Sequence, residues 1–276
     1  MRLADKYIVN QVQLALAEDV GDGDRTAALL PAGVRAEAQV LCREAAVLCG
    51  SAWFAQVFRQ LDPDVRLEWL HRDGDALQPG DLVCRLSGAA RSLLTGERTA
   101  LNFLQTLSGT ATLAARYVAA VAGTRARILD TRKTLPGLRL AQKYAVSCGG
   151  AHNQRMGLYD AILIKENHIQ AAGSVAAVLQ QAAQLGQGLE VEIEVETLEQ
   201  LREALDAGAR RVLLDNFDLE RLRAAVALTA GRARLEASGG VNLDTVAAIA
   251  ATGVDDISVG ALTKDVRATD YSMRFA

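Results

Sequence analysis

ARILDTRK (126–133), DAILIKENH (160–168), LEVEIEVE (189–196), RRVLLDN (210–216), RLEASGG (234–240) and DDISVGA (255–261) decide the fold. Each is a short run of β-forming residues that ends in polar or glycine positions. Between them lie segments with helical spacing: GLRLAQKYAVSCGG (137–150), GSVAAVLQQAAQLG (173–186), TLEQLREALDAGA (197–209), DLERLRAAVALTA (218–230) and NLDTVAAIAATG (242–253). Strand alternating with helix in this rhythm means parallel βαβ units with right-handed crossovers. Gly208 and Gly253 stand where helix C-termini want a residue free to adopt positive φ. Six units fit between Gly123 and Lys264, whereas a complete eightfold barrel takes about 250 residues. The reading is an incomplete six-stranded α/β barrel over 111–264.

Residues 1–110 precede it as a smaller α+β domain, on which 265–276 are expected to pack. The opening MRLADKYIVNQVQLALAEDV reads as an amphipathic helix and GDGDRT (21–26) as a loop. RAEAQVLCREAAVLCG (35–50) reads as a strand pair or one long strand, SAWFAQVFRQL (51–61) as a helix, and VRLEWL (65–70) and DLVCRLSG (81–88) as strands about a turn at HRDGD. From Ala90 to Gly123 the period is helical, with Gly96 and Gly109 expected to divide it into two or three helices.

Of the 276 residues 50% are hydrophobic, 23% are charged and only four are proline, so the chain folds rather than staying disordered. No apolar run reaches the roughly 18 residues of a membrane helix, and the first 20 residues carry charges through the apolar positions, unlike a secretory signal. Cys42, Cys49, Cys84 and Cys148 lack metal-finger spacing and read as reduced thiols of a cytoplasmic protein. A net charge of −3 argues against a nucleic-acid partner.

That small net charge conceals an asymmetry. Between Arg125 and Lys165 eight bases are opposed only by Asp130 and Asp160, while from Glu166 to Glu220 eleven acids face three arginines. In an α/β barrel, chemistry collects at the C-terminal strand ends. Those ends offer Arg132 and Lys133, then Lys165, Glu194, Asp215, the glycine turn Ser238-Gly239-Gly240, and Gly260-Ala261. Arginine and lysine bind carboxylate or phosphate. Carboxylates suit Mg²⁺ and ribose hydroxyls, and glycine turns opening a helix present N–H groups to phosphate. The mouth suits a phosphorylated sugar beside a second, strongly anionic compound. Each member alone has a plainer reading: a common turn, a snorkelling lysine, or, for any one of Glu192, Glu194 and Glu196 on their shared strand face, a solvent-facing carboxylate. An open barrel also leaves a flank uncovered, which suits a homodimer.

DTRKTLPGLRLAQKYAVSCGGAHNQRMGLYDAILIKENHI (130–169) closely resembles the signature of the quinolinate phosphoribosyltransferases (nicotinate-nucleotide pyrophosphorylases, carboxylating). The likeness continues through EVEIEVETLEQ, VLLDNF, SGGV and SVGALT, and backwards through LTGERTALNFLQTLSGTAT, so it covers most of the chain. It implies a sandwich domain and an open six-stranded barrel, dimerised so that one subunit's N-terminal domain closes its partner's barrel, with higher assembly left open. It also implies the conversion of quinolinate and phosphoribosyl pyrophosphate, with Mg²⁺, to nicotinate mononucleotide, pyrophosphate and CO₂ in de novo NAD biosynthesis. By the same resemblance Arg132 and Arg155 hold the two carboxylates of quinolinate, joined by Arg98 from the neighbouring subunit. Lys133 and Lys165 face the diacid and the diphosphate, Glu194 and Asp215 the ribose hydroxyls and the metal, and Ser238, Gly239, Gly240 and Gly260 the 5-phosphate. Arg139 matches a further basic position near the diphosphate, and His168 matches a residue that equally suits shaping its loop. One departure stands out: many members have histidine where this chain has Gln154, so either Gln154 positions substrate by hydrogen bonds or His152 takes the role. Lys165 at a strand end also admits a Schiff-base aldolase, and the same pocket a transferase for another acidic pyridine or a non-catalytic anion sensor.

Overall fold

A computed structural model describes residues 4–185 and 188–276. In chain order the elements are α1 (Asp5–Asp19), β1 (Arg35–Cys42), β2 (Ala46–Val47), α2 (Ser51–Leu61), β3 (Arg66–Trp69), β4 (Ala76–Leu77), β5 (Leu82–Ala89), α3 (Ala90–Ala120), β6 (Arg127–Leu129), α4 (Arg139–Cys148), β7 (Ala161–Ile164) and α5 (Glu166–Ala172). There follow α6 (Val175–Leu185), β8 (Glu190–Val195), α7 (Leu198–Asp206), β9 (Arg211–Asp215), α8 (Leu219–Thr229), β10 (Arg234–Ser238), α9 (Val246–Ala250), β11 (Asp256–Ser258), α10 (Ala261–Lys264) and β12 (Tyr271–Phe275). The first three residues of the expected opening helix, and Gly186 at the end of the expected 173–186 helix, lie outside the described residues.

Two compact units result. One takes the chain through Ala115 together with Leu140–Gly150 and Val266–Ala276; the other is Arg116–Arg139 with Ala151–Asp265. Nearly all of α4, expected among the barrel's own helices, therefore groups with the first unit.

The first unit is built on an antiparallel sheet in the order β12-β1-β5-β3. Alternation on β1 buries Ala38, Val40 and Cys42, with Val40 opposite Cys84 and Met273, as a half-buried strand requires. Helix α2 buries Trp53, Phe54, Val57 and Phe58, a stripe at helical spacing, and the Phe54 ring meets Trp69 edge-on at 5.4 Å. The expected strand pair at 35–50 forms differently. β2 leaves β1 and pairs with β4 in a separate two-stranded sheet.

The expected division of the 90–123 region does not occur: α3 runs unbroken for 31 residues. Its glycines are there for clearance, not for termination. A Cβ at Gly109 would lie 2.1 Å from the Arg267 carbonyl oxygen, and one at Gly96 2.6 Å from the Phe58 ring. Leu93, Ala100, Leu104, Leu107, Ala111 and Ala114 continue one buried stripe across both glycines, and that burial outweighs the roughly 1 kcal/mol helix cost of a glycine.

In the second unit the strand order is β6-β11-β10-β9-β8-β7, all parallel. β6 and β7 end the ladder without pairing to each other, so the barrel is open. The edge of β6 receives one further bridge, from His152 to Leu129. Ile193, Val195, Val212, Leu214, Leu235, Ala237 and Ile257 are buried at alternate positions, and the intervening residues, mostly polar, form the other strand face. That sidedness places the chemistry. No described helix is long and apolar enough to cross a membrane.

Gly109→Ala tests the clearance argument. The clash is with backbone, which cannot swing aside as a side chain would, so the variant should lose about 1–3 kcal/mol or more, read as a lower melting temperature. A melting temperature equal to the wild type's would show that α3 has room to spare.

Candidate active site

At the C-terminal strand ends of the second unit lies a cavity of about 640 Å³, within the size range of small-molecule sites. Thr131, Arg132, Lys133, Gln154, Arg155, Leu163, Lys165, Glu194, Leu213, Asp215, Asn216, Ser238, Gly239, Gly240 and Ser258 line it. The structure thus brings together Arg132, Lys133, Gln154, Arg155, Lys165, Glu194, Asp215, Ser238, Gly239 and Gly240 from the sequence reading. Thr131, Asn216, Ser258 and the two leucines were not anticipated.

Two loops deliver the arginines. Asp130, fully buried at the end of β6, accepts hydrogen bonds from Asn153 Nδ2 (2.6 Å) and the Gln154 amide (2.9 Å). Asp160, just before β7, accepts from the amides of Met156 (2.7 Å) and Gly157 (2.8 Å). The only two acids within the basic stretch thus clamp the 153–157 loop from both sides. Arg139 braces the same region, donating to Thr134 Oγ1, the Met156 carbonyl and the Arg132 carbonyl at 3.2–3.3 Å.

Both arginines reach the cavity under-bonded. The Nε groups of Arg132 and Arg155 are buried with no hydrogen-bond partner, a cost of about 1–3 kcal/mol for a buried polar group. Burial, and then the neighbouring charge of Arg132, lower the Arg155 pKa. Two guanidiniums held close together with unused donors call for an anion with several acceptor oxygens.

Across the cavity Lys165 Nζ pairs with Glu194 at 2.6 Å, the lysine side chain 49% exposed and the glutamate 15%. Burial, followed by the charge of Glu194, pushes the Asp215 carboxyl up, against the pull of Lys165 and Lys133. Asn216 donates to Asp215 (2.8 Å), and its own backbone is left-handed at φ 55°, a conformation asparagine tolerates. Gly239, at φ 98°, is doubly required, because a Cβ there would meet Asn216 Oδ1 at 2.1 Å.

The remaining expected residues lie elsewhere. Arg98 is exposed on α3 in the first unit. Gly260 caps α10 beside Lys133, whose Cδ would be 3.0 Å from an added Cβ. His168 Nδ1 accepts from the Lys165 amide (2.9 Å), closing a capping box that starts α5 and shapes the loop. His152 is exposed and gives its backbone to the bridge with β6. Contrary to the expected glycine turn opening a helix, the Ser-Gly-Gly turn is set apart from α9: Asn242 Oδ1 accepts from the amides of Asp244 and Thr245 in a local turn, and α9 begins only at Val246.

Glu192 is not the solvent-facing residue its sequence position allowed. It is buried one layer below Glu194, in an ion cluster that sequence reasoning missed entirely. Arg211 donates to Glu192 (2.9 Å) and Glu236 (2.6 Å) and lies 3.5 Å from Asp256, which also pairs with Arg127 and Arg234. Burial opposes the Arg211 charge, but the surrounding carboxylates outweigh it and raise its pKa. Gln154 Nε2 points from the cavity wall into this layer, donating to Glu236 (2.9 Å) and Glu192 (3.3 Å). Burial and the charge of Glu236 push the Glu192 carboxyl up to about 8, despite Arg211. The only sequence signal was period-2 placement of Arg211, Glu192 and Glu236 on the strand faces that carry the site.

This shift has a sign. Unfolded, Glu192 releases its proton near 4.5; folded, it holds it to about 8. Its contribution to stability is present below the lower value and is lost as pH rises through that window. Glu192→Gln, which keeps a neutral side chain, should flatten the fall in melting temperature over roughly pH 4.5 to 8. Parallel wild-type and variant curves would assign that fall to other groups.

The family model described as "Quinolinate phosphoribosyl transferase, C-terminal domain" matches residues 110–274, and the corresponding N-terminal domain model matches 24–108. The chain is 42% identical over 257 residues to the "Probable nicotinate-nucleotide pyrophosphorylase [carboxylating]" of Bacillus subtilis, covering 93% of this chain and 89% of that protein. It is 41% identical to the chloroplastic nicotinate-nucleotide pyrophosphorylase [carboxylating] of Arabidopsis thaliana, covering 95% and 81%. Among solved structures, the nicotinate-nucleotide pyrophosphorylase of Francisella tularensis superposes with a TM-score of 0.98 at 43% identity, over 100% of this chain and 98% of that one.

Proposed function

The chain belongs to the quinolinate phosphoribosyltransferase family, and on that premise we propose how its cavity performs the family's reaction. The enzyme transfers phosphoribosyl from phosphoribosyl pyrophosphate to quinolinate with loss of CO₂, giving nicotinate mononucleotide and pyrophosphate in de novo NAD biosynthesis. The observation that carries the residue roles is the pair of buried, unpartnered Nε donors on Arg132 and Arg155. Quinolinate has two adjacent carboxylates, the kind of ligand that satisfies two converging guanidiniums.

With the diacid gripped there, its ring nitrogen attacks C1 of the sugar as the C1–O bond to pyrophosphate breaks. Positive charge develops on the ribose, and Glu194 and Asp215, which also accept the ribose hydroxyls, have the sign to stabilise it. Lys165 passes from Glu194 to the departing diphosphate, with Lys133 beside it. The product pyridinium then accepts the electron pair of the C2–carboxylate bond, CO₂ leaves, and a proton takes its place. Nothing in this sequence asks a side chain to act as a nucleophile. The 5-phosphate rests on Ser238 and the turn amides of Gly239 and Gly240, with Gly260 keeping Lys133 in place beside it.

The donor set fits Mg²⁺. Glu194 and Asp215 are hard oxygen ligands, and the upward push of the Glu194 charge on Asp215 is what a cation relieves. They would hold the ion directly or through water or substrate, and when bound it supplies charge neutralisation for the diphosphate. A homodimer completes the reading: the barrel is open along β6 and β7, and Arg98, exposed on α3, is the residue a second copy would bring. Four free cysteines support a reducing, cytoplasmic setting.

Charged hydrogen bonds are worth about 1.5–3 kcal/mol each, and about 1.4 kcal/mol is tenfold in affinity. Arg132→Ala and Arg155→Ala should each raise the KM for quinolinate tenfold to a hundredfold or more, with the KM for phosphoribosyl pyrophosphate much less affected. An unchanged quinolinate KM in both variants would refute the clamp. For the shared site, Arg98→Ala and Lys165→Ala chains are mixed: partial recovery of activity is expected, and complete failure to complement argues for sites confined to one chain.

A further inference from the structure

Outside the active site, one cluster of reactive side chains has no part in phosphoribosyl transfer. Cys49, just ahead of α2, and Cys148, the last residue of α4, come together in the first unit beside Asp73. Their sulfurs and an Asp73 carboxylate oxygen all lie within 4.8 Å of one another. We propose that Cys148 and Cys49 are a peroxide-reactive thiol pair, Cys148 the attacking sulfur and Cys49 the resolving one, closing a reversible disulfide between the end of α4 and the start of α2.

The two cysteines are unequal in the way such a pair needs. Cys148 is partly exposed, whereas Cys49 is fully buried, its backbone fixed at both ends by Ser108, whose Oγ accepts from the Cys49 amide (2.9 Å) and donates to its carbonyl (3.1 Å). The neighbouring Cys49 thiol, acting against burial and the charge of Asp73, lowers the Cys148 pKa and so favours its thiolate. Burial pushes the Cys49 thiol the other way. Asp73 is held in place as acceptor for the amides of Gly50 (3.2 Å) and Ser51 (3.1 Å) and for Tyr144 Oη (2.9 Å). A thiolate is the nucleophile toward peroxide, and a nearby thiol traps the product before further oxidation.

The chemistry balances with hydrogen peroxide as the named oxidant. The Cys148 thiolate attacks one peroxide oxygen, the O–O bond breaks, and Cys148 sulfenic acid forms while hydroxide leaves. The Cys49 sulfur then attacks the Cys148 sulfur and displaces the second hydroxide. The two thiol protons end in two waters, and two electrons pass from the sulfurs to peroxide. Cys42, bonded to the Glu44 carbonyl (3.0 Å), and Cys84, whose thiol burial pushes up to about 12, are internal controls.

The test treats the purified protein with stoichiometric hydrogen peroxide and maps its thiols by mass spectrometry. Expected is the loss of two of the four free thiols, a mass decrease of about 2 Da, and a peptide joining Cys49 to Cys148, reversed by reductant. Cys148→Ser should keep its remaining thiols at the same dose. Cys49→Ser should stop at a sulfenic acid that dimedone captures on Cys148. Trp53, its ring tilted against Tyr144 with centres 5.9 Å apart, reports closure as a change in emission. Four intact thiols, a bridge between two chains, or oxidation confined to Cys42 or Cys84 overturns the proposal. If either variant fails to fold, the wild-type peptide map alone decides.

Discussion

The barrel's interior is organised around Arg211. At the first residue of β9 it is only 11% exposed and reaches Glu192 on β8, Glu236 on β10 and Asp256 on β11. These bonds tie together four adjacent strands of an open sheet, and Arg127 extends the tie to β6. Buried ion pairs repay their desolvation poorly compared with apolar packing. What they supply here is position: a one-residue slip of any of these strands would turn its charged residue into the apolar layer under the helices and leave partners unpaired. The same registration puts Ser238 opposite Asp215 and sets Glu194 two residues above Glu192, so the layer that fixes the register also fixes the mouth.

Much of this fold was readable because period and punctuation agreed. The six strands and the principal helices of the second unit fall where alternating β-runs and helical stretches place them. The misreadings share a cause. Gly96 and Gly109 look like breaks in α3 because a sequence does not reveal what lies opposite a glycine; Phe58 and the Arg267 carbonyl do. β2 pairs with β4 rather than β1, and α4 groups with the first unit, through contacts distant in sequence that no local pattern encodes.

The cavity residues were legible to different depths. Lys165, Glu194, Asp215 and Ser238 sit at strand ends, where barrel geometry alone makes them candidates. Arg155 is different: it lies in an irregular loop, and its place depends on Asp130 and Asp160 capturing four nitrogen donors of that loop. As charges these two acids looked like minor offsets in a basic stretch. Arg139 likewise read as a cation for a phosphate, yet its guanidinium donates to three protein oxygens and so braces the loops bearing Arg132 and Met156.

Gln154 joins the two layers. It lines the cavity and at the same time directs Nε2 to both Glu236 and Glu192. One amide nitrogen carries two hydrogens and so can serve two acceptors at once, whereas each nitrogen of a neutral imidazole carries at most one. With Glu192 pushed up by burial and by Glu236, a second positive charge beside Arg211 is not required; two neutral donors are. Gln154, standing where the resemblance leads one to expect histidine, thus matches the carboxylate pair beneath it, while His152, committed by its backbone to the edge of β6, has no comparable reach among its described contacts.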